Sequence, residues 1–226
     1  MLAGRTMARI GLLGGSFNPA HRGHRNLSLA AIDALGLDEL WWLVSPGNPL
    51  KETAGDMAPF DARFASAEEM AAGTPIRVSD FEREAGTRYT IDTVSALLRR
   101  HPGDRFIWLM GEDIMAEFHR WKDWRKLAES LPIAVLPRPG YDEPARAARA
   151  MGWLKAFVRP SSQARCWTEW SAPAILLLRL PTDPTSATAI RAHDPDWHRR
   201  KRPGSSGPRP KGMPPHPRRA LARPNN

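Results

Sequence analysis

Short, uninterrupted apolar runs alternate with helix-like stretches along most of the chain. Six such runs predict strands at 9–13, 40–44, 76–81, 106–110, 133–136 and 175–178. Intervening segments predict helices at 27–35, 61–72, 91–100, 113–119 and 122–130. Because apolar and polar residues do not alternate within the runs, we expect strands covered on both faces. Strands that alternate with helices predict the α/β class, with a doubly wound parallel sheet of Rossmann type.

Charge divides the chain into a body and a tail. The 226 residues carry a net charge of +9, but residues 192–226 hold nine Lys/Arg and only two Asp, together with eight of the 22 prolines. Beyond Trp197 this tail has almost no large apolar residue to bury, so we expect it to be disordered. The sequence therefore predicts one folded domain over 1–191 and a basic Pro/Arg-rich tail over 192–226.

Several classes of protein are disfavoured by composition. No run of about 18 apolar residues is present, so we expect no membrane span. The segment 1–15 lacks the apolar block and cleavage site of a secretory signal. Cys166 is the single cysteine, which excludes an intramolecular disulfide and a multi-cysteine zinc site. A cytoplasmic location is therefore expected. Residues 147–173 give no clear pattern.

The loop after the first strand carries the densest group of candidate residues. In a doubly wound sheet, ligands bind at the carboxyl ends of the strands. Gly14 and Gly15 would let main-chain N–H groups approach an anion, and a helix beginning near Arg22 would add its positive end. His21 and His24 are three residues apart and would share one helix face, with Gly23 leaving room for a ligand.

This loop differs from the common phosphate-binding motifs. It lacks the Gly-Lys-Ser/Thr of a P-loop and the third glycine of the dinucleotide fingerprint. A third protein ligand for zinc is also missing nearby, so no metal held by protein side chains is predicted. The loop instead suggests a phosphate cradle with two imidazole donors, although two surface histidines after a glycine turn remain the simpler alternative.

The later loops add candidates that also have ordinary structural explanations. Thr90 is a candidate helix N-cap, with Asp92 in the first turn. Trp121 is either a stacking platform or a core residue. The remaining candidates are polar or cationic loop residues, or a glycine at a strand end: Lys51, Gly111, Asp113, Ser186, Thr188 and Arg191. Thr188 could also open a helix, which would put Arg191 on the same face.

The string Gly-Gly-Ser-Phe-Asn-Pro-x-His-x-Gly-His at 14–24 resembles the nucleotidyltransferase superfamily with the H-x-G-H motif. Over its full length it resembles the bacterial nicotinate-nucleotide adenylyltransferases. Tyr-Thr-x-Asp-Thr at 89–93, Gly-x-Asp at 111–113 and Trp121 add to this resemblance. The stretch 185–191 is similar to Ile-Ser-Ser-Thr-x-x-Arg but has Thr185 and Ala187. Lys122 stands where the family often has an aromatic residue.

The resemblance implies a nucleotidyltransferase that joins ATP and nicotinate mononucleotide into nicotinate adenine dinucleotide and pyrophosphate, with Mg²⁺ on the triphosphate. Catalytic groups would be His21, His24, Lys51 and Arg191. ATP would be bound by Gly14, Gly15, Ser16, Phe17, His21, His24, Gly111, Asp113, Ser186, Thr188 and Arg191. Nicotinate mononucleotide would be bound by Asn18, Lys51, Thr90, Asp92 and Trp121. Together, His21, His24, Lys51 and Arg191 would supply hydrogen-bond donors and positive charge.

Two other functions stay open at this point. A pantetheine-phosphate adenylyltransferase shares part of the first-loop motif, although the strings at 89–90 and Trp121 disfavour it. A non-catalytic nucleotide- or RNA-binding protein could use the basic tail, with affinity that falls steeply with salt. The tail has no interleaved aromatic residues, so sequence-specific recognition of nucleic acid is not supported. Oligomeric state cannot be read from the sequence.

Overall fold

A six-stranded, all-parallel sheet forms the centre of the protein in a computed structural model that describes residues 7–47 and 57–199. The strand order is β3-β2-β1-β4-β5-β6. The strands are β1 Arg9–Gly15, β2 Glu39–Val44, β3 Ile76–Ser79, β4 Arg105–Gly111, β5 Ile133–Leu136 and β6 Ile175–Leu177. This confirms the predicted doubly wound α/β class, with all six apolar runs in strands.

Nine α-helices are seen in the described residues, and they flank the sheet. They are α1 Arg22–Leu35, α2 Phe60–Ala71, α3 Phe81–Ala85, α4 Thr90–Arg100, α5 Glu112–Glu117, α6 Trp124–Ser130, α7 Asp142–Arg146, α8 Met151–Leu154 and α9 Ala187–His193. In the described part of the chain, no helix is long and apolar enough to cross a membrane.

The sheet is buried on both faces, which explains the uninterrupted apolar runs. In β2, Trp41 and Leu43 belong to one hydrophobic cluster, whereas Trp42 and Val44 belong to a second. Alternate residues of a strand point to opposite faces, so a strand between two layers of helices needs apolar residues at every position. Each large side chain buried in this way contributes about 1.5–3 kcal/mol of transfer free energy.

The structure differs from the sequence prediction at the end of the third strand and at the start of the tail, and it shows the structure of the unassigned region. The third strand ends at Ser79, and Phe81 instead begins α3, where its ring is buried. The tail does not begin at residue 192, because α9 continues to His193 and Trp197 is 7% exposed. The unassigned region 147–173 contains α8 and two 3₁₀ helices, and the buried Trp167 anchors it.

Candidate functional site

The site lies at the carboxyl ends of β1 and β4, which are adjacent strands joined by no direct connection. Such a switch point opens a cleft above the sheet. Gly14 is exposed there although β1 is a central strand. A Cβ atom on Gly14 would lie 2.9 Å from the ring of Trp108, so a side chain at this position would collide with the neighbouring strand. Gly14 and Gly15 still belong to β1 and do not form a separate turn.

The two histidines of the first loop meet at the start of α1. His21 is the N-cap residue, and its main-chain N–H donates to Nδ1 of His24 at 3.3 Å. The ring centroids are 3.8 Å apart. Phe17 packs 5.1 Å from the ring of His24 and stacks on Trp42. Because Nδ1 of His24 accepts a hydrogen bond, the proton of the neutral imidazole lies on Nε2, which is left as a donor.

Both imidazoles are neutral at pH 7 in the free protein. The pKa of His21 is lowered to about 4, mainly by burial and also by the Arg138 charge, against an opposing effect of Asp183. Burial lowers the pKa of His24 to about 3, with smaller contributions from His21 and Arg138. In the unliganded site the two histidines therefore offer hydrogen-bond donors, and of the four residues expected to supply donors and positive charge only Lys51 and Arg191 carry a charge.

Gly23 is needed for packing and not to leave space for a ligand, which corrects the sequence interpretation. A Cβ atom on Gly23 would lie 3.0 Å from two ring atoms of His21 and 3.1 Å from the carbonyl oxygen of Thr185. The volume that a side chain would fill is thus already occupied by the imidazole and by the chain that precedes α9.

A buried arginine holds the first loop against the loop after β2. Arg63 of α2 is 1% exposed. Its guanidinium donates to main-chain carbonyls of Ser16 (2.7 Å), Ser45 (2.9 Å), Ala58 (3.0 Å) and Pro46 (3.3 Å). Asn18 is 4% exposed, and its Oδ1 accepts from the main-chain N–H of Ala58. The sequence analysis missed Arg63, because nothing distinguishes it from the other 32 Lys and Arg residues.

The C-terminal motif docks onto the same loop. Arg191 donates from Nη1 to the carbonyl oxygen of Asn18 at 2.8 Å. Arg22 of α1 donates to Thr185 Oγ1 at 2.9 Å and lies 3.3 Å from Asp183. These contacts join residues more than 150 positions apart in the sequence. They bring the first-loop histidines and the Arg191 segment together, as the sequence predicts.

The residue that opens α9 is Ser186 and not Thr188. The Ser186 hydroxyl accepts from the main-chain N–H of Ala189 at 3.1 Å, which makes it the N-cap. Its hydroxyl proton is left available for a ligand. Thr188 is the second residue of the helix and is exposed, whereas Arg191 is half-buried.

Arg138, which the sequence analysis also missed, brings a further cation to this edge. It follows β5, and its Nη1 lies 3.3 Å from Oδ2 of Asp113. Its main-chain N–H donates to Glu112 at 2.8 Å. Oδ1 of Asp113 is buried and has no hydrogen-bond partner among the described residues. Asp113 therefore has one carboxylate oxygen beside Arg138 and one buried oxygen without a partner among the described residues.

A second group of predicted residues surrounds the start of α4. The N-cap is Tyr89, so the prediction that Thr90 has this role is wrong, and Thr90 is the first helical residue. Lys122 lies 3.0 Å from Asp92 and 4.7 Å from the centre of the Tyr89 ring. Lys122 thereby connects the segment after α5 to the start of α4.

Trp121 connects this second group to the first. Its ring packs edge-on against Trp108 at 6.2 Å and against Phe118 at 5.5 Å. Trp108 is the same residue whose ring lies beneath Gly14. Trp108 of β4 therefore lies between Gly14 of the first group and Trp121 of the second.

The remaining predicted residues divide into three cases. Lys51 lies outside the described residues. Phe17 is 2% exposed, so its ring supports His24 and only its main chain could meet a ligand. Gly111 ends β4 beside Asp113 and is half-buried. In the described part of the chain, no cluster of three His, Cys, Asp or Glu residues could hold a metal ion.

Comparisons with known proteins agree with this geometry. The cytidylyltransferase-like family matches residues 12–193. A probable nicotinate-nucleotide adenylyltransferase from Erythrobacter litoralis is 56% identical over 196 residues, which cover 87% of this chain and 89% of the relative. A protein of the same name from Parvibaculum lavamentivorans is 49% identical over 183 residues, covering 81% of this chain and 90% of the relative.

A solved structure shares the fold at low sequence identity. Plasmodium falciparum nicotinic acid mononucleotide adenylyltransferase, complexed with NaAD, aligns with a TM-score of 0.58 at 16% identity. The alignment covers 81% of this chain and 82% of that one. At this identity the likeness supports the architecture alone.

Proposed function

The chain belongs to the cytidylyltransferase-like family and, within it, to the nicotinate-nucleotide adenylyltransferases, and from this we propose that it joins ATP and nicotinate mononucleotide. The products are nicotinate adenine dinucleotide and pyrophosphate. The observation that carries the proposal is the closely packed pair of neutral histidines at the start of α1, at the switch point of the sheet.

The chemistry requires charge stabilisation more than proton transfer. A phosphate oxygen of nicotinate mononucleotide attacks the α-phosphorus of ATP, and the bond from that phosphorus to the bridging oxygen of the β-phosphate breaks. The nucleophile is already anionic at neutral pH, so no general base is needed. Catalysis then comes from positioning two anions and from donors aimed at the charge that develops on the phosphates.

On the ATP side, each proposed residue offers a group that suits a nucleotide. His24 donates from Nε2, and His21 lies beside it at the positive end of α1. Arg191 and Arg138 supply fixed positive charge, and Ser186 keeps a hydroxyl proton to donate. Oδ1 of Asp113 is an acceptor for a ribose hydroxyl. The other proposed ATP contacts are with Gly14, Gly15, Ser16, Phe17, Gly111 and Thr188.

On the acceptor side, the first turn of α4 and Trp121 form the proposed pyridine pocket. Main-chain N–H groups around Thr90 could receive a pyridine carboxylate, because the start of a helix attracts anions. The ring of Trp121 would form one wall of this pocket. Asp92 would act as a positioning residue through its ion pair with Lys122. Asn18 and Lys51 are proposed to meet the mononucleotide phosphate.

A divalent cation accompanies ATP in this reaction, and we propose Mg²⁺. The described residues lack a side-chain cage for a metal, which fits a cation that is held mainly by phosphate oxygens and water. When bound, it withdraws negative charge from the α-phosphate and from the leaving pyrophosphate.

Pyrophosphate release tests the reaction and the acceptor together. The assay uses ATP, Mg²⁺ and one of three acceptors: nicotinate mononucleotide, nicotinamide mononucleotide or phosphopantetheine. Release with the first acceptor is expected. Faster release with phosphopantetheine would replace the proposal by the other adenylyltransferase activity, and no release with any acceptor would overturn the enzymatic role.

A pair of histidine variants tests the proposed mechanism. His24→Asn removes the Nε2 donor, and we expect kcat to fall about 10²–10³-fold, as for loss of one preorganised donor. His193→Asn makes the same change at an exposed residue of α9 and should leave kcat unchanged. Circular dichroism serves as the control that both variants are folded. A His24→Asn enzyme with full turnover would exclude this histidine from catalysis.

A further inference from the structure

A cavity of about 450 Å³ lies outside the proposed active site, between the start of α6 and α8. Its walls are formed by His119, Trp124, Arg125, Arg149, Gly152 and Trp153. The nearby ring of Trp121 is not part of this lining and packs on Trp108 instead. None of the residues proposed for the active site belongs to this lining.

The charge of this cavity is positive and unbalanced. The guanidinium of Arg125 lies 4.6 Å from the ring centre of Trp124 and 5.9 Å from that of Trp153. A guanidinium that packs on aromatic rings can still donate its N–H groups to an anion. Arg149 is exposed on another wall. Among residues 7–47 and 57–199, no carboxylate forms an ion pair with either arginine.

The rest of the lining is aromatic. The indole rings of Trp124 and Trp153 are 5.6 Å apart and nearly perpendicular, at 87°. Nδ1 of His119 is buried and lacks a hydrogen-bond partner in the described part of the protein. A Cβ atom on Gly152 would meet nothing within 4 Å, so this wall is open. The lining of the cavity thus combines the flat rings of two tryptophans with the side chains of two arginines.

We propose that this cavity is a second binding site, for a phosphate monoester of mononucleotide size. Two guanidinium groups match the charge of about −1.5 to −2 that such a phosphate carries at pH 7. Indole rings are suited to stack with a nucleobase. The volume falls in the range of about 300–1,000 Å³ that small-molecule sites occupy and is larger than a bare phosphate needs.

Fluorine NMR of 5-fluorotryptophan-labelled protein tests the proposal at the cavity itself. Of the nine tryptophans, the two that line the cavity are assigned by the signal that disappears in the Trp124→Phe and Trp153→Phe variants. The probe is adenosine monophosphate. We expect both assigned signals to shift saturably. If neither assigned signal shifts, the nucleotide does not bind in this cavity and the proposal is overturned.

Matched variants separate the proposed site from general charge effects. Arg125→Gln with Arg149→Gln should raise the dissociation constant at these signals by about tenfold or more. Arg99→Gln with Arg105→Gln removes two charges from other exposed side chains and should leave it unchanged. Equal affinity in both double variants would overturn the proposal. Inorganic phosphate should bind about tenfold more weakly than the mononucleotide, and equal affinity would exclude a nucleotide-sized ligand.

Discussion

Arg63→Met tests whether one buried side chain sets the geometry of the first loop. The guanidinium donates four hydrogen bonds at 2.7–3.3 Å, and every acceptor in the described residues is a main-chain carbonyl. These carbonyls belong to the loops after β1 and β2 and to the segment that precedes α2. The substitution keeps most of the apolar stem and removes all four donors, which leaves carbonyl oxygens without partners at a site that is 1% exposed.

The expected loss can be estimated from these contacts. Hydrogen bonds to charged groups contribute about 1.5–3 kcal/mol each, and an unsatisfied buried acceptor costs about 1–3 kcal/mol. Removing the buried charge recovers part of this loss, because burial already disfavours the charged form and lowers the pKa of Arg63. We therefore expect the free energy of unfolding to fall by about 3–5 kcal/mol, out of about 5–15 kcal/mol for a domain of this kind.

Urea denaturation followed by circular dichroism measures this change. Arg83→Met is the matched control, because Arg83 also lies over the Phe60 ring but is 51% exposed, where its ion pairs with Asp61 and Asp80 should contribute less than about 1 kcal/mol. Arg63→Lys should recover only part of the stability, since one ammonium cannot reach carbonyls on both loops. A loss below about 1 kcal/mol for Arg63→Met would refute the reasoning.

Three further predictions concern packing and protonation. Gly23→Ala should cost about 1–3 kcal/mol in urea denaturation and lower kcat, because the His21 ring must shift, whereas Gly103→Ala adds a Cβ that meets nothing. Burial raises the pKa of Glu82 to about 7, so this carboxyl contributes about 3 kcal/mol of stability that is lost as the pH rises from 4.5 through 7, which is measured as the pH-dependent difference in unfolding free energy between the wild type and Glu82→Gln. The depressed pKa values of His21 and His24 predict the opposite trend, with stability lost as the pH falls below 6.5 toward 3. NMR titration should show both imidazole pKa values rising when ATP binds, and unchanged values would contradict contact with phosphate.

The strands and the first loop could be predicted from the sequence because their signals are local. Strands buried on both faces need continuous apolar runs, and the two histidines lie three residues apart in a long motif. The helix starts were less predictable. Ser186, and not Thr188, accepts the capping hydrogen bond of α9, and either hydroxyl could have done so from sequence alone.

The residues that sequence analysis missed all act through long-range contacts. Arg63 and Arg138 lie among 33 basic residues, and only the fold shows that one is buried under two loops and the other faces the histidine pair. Gly23 was correctly noticed but wrongly explained. The atoms that require a glycine there include the Thr185 carbonyl oxygen, which is 162 positions away in the chain. A local motif shows which positions are constrained, and it does not show which neighbours constrain them.

The protonation of the histidine pair explains how this cleft can accept two anions without being destabilised when empty. Two imidazolium rings 3.8 Å apart would repel each other and Arg138, and burial would add a further penalty for each charge. As neutral rings they avoid this repulsion, and in the proposed mechanism His24 still directs an N–H donor that needs no reorganisation when the substrate binds. Permanent charge is instead carried by Arg138 and Arg191, whose guanidinium groups are held by Asp113 and by the Asn18 carbonyl. A bound triphosphate reverses the electrostatic effect on the histidines, because nearby negative charge favours the imidazolium form. ATP binding would then be accompanied by proton uptake at the histidines, which would supply the positive charge that the unliganded site lacks. The number of protons taken up would depend on how close the phosphates lie to the two rings.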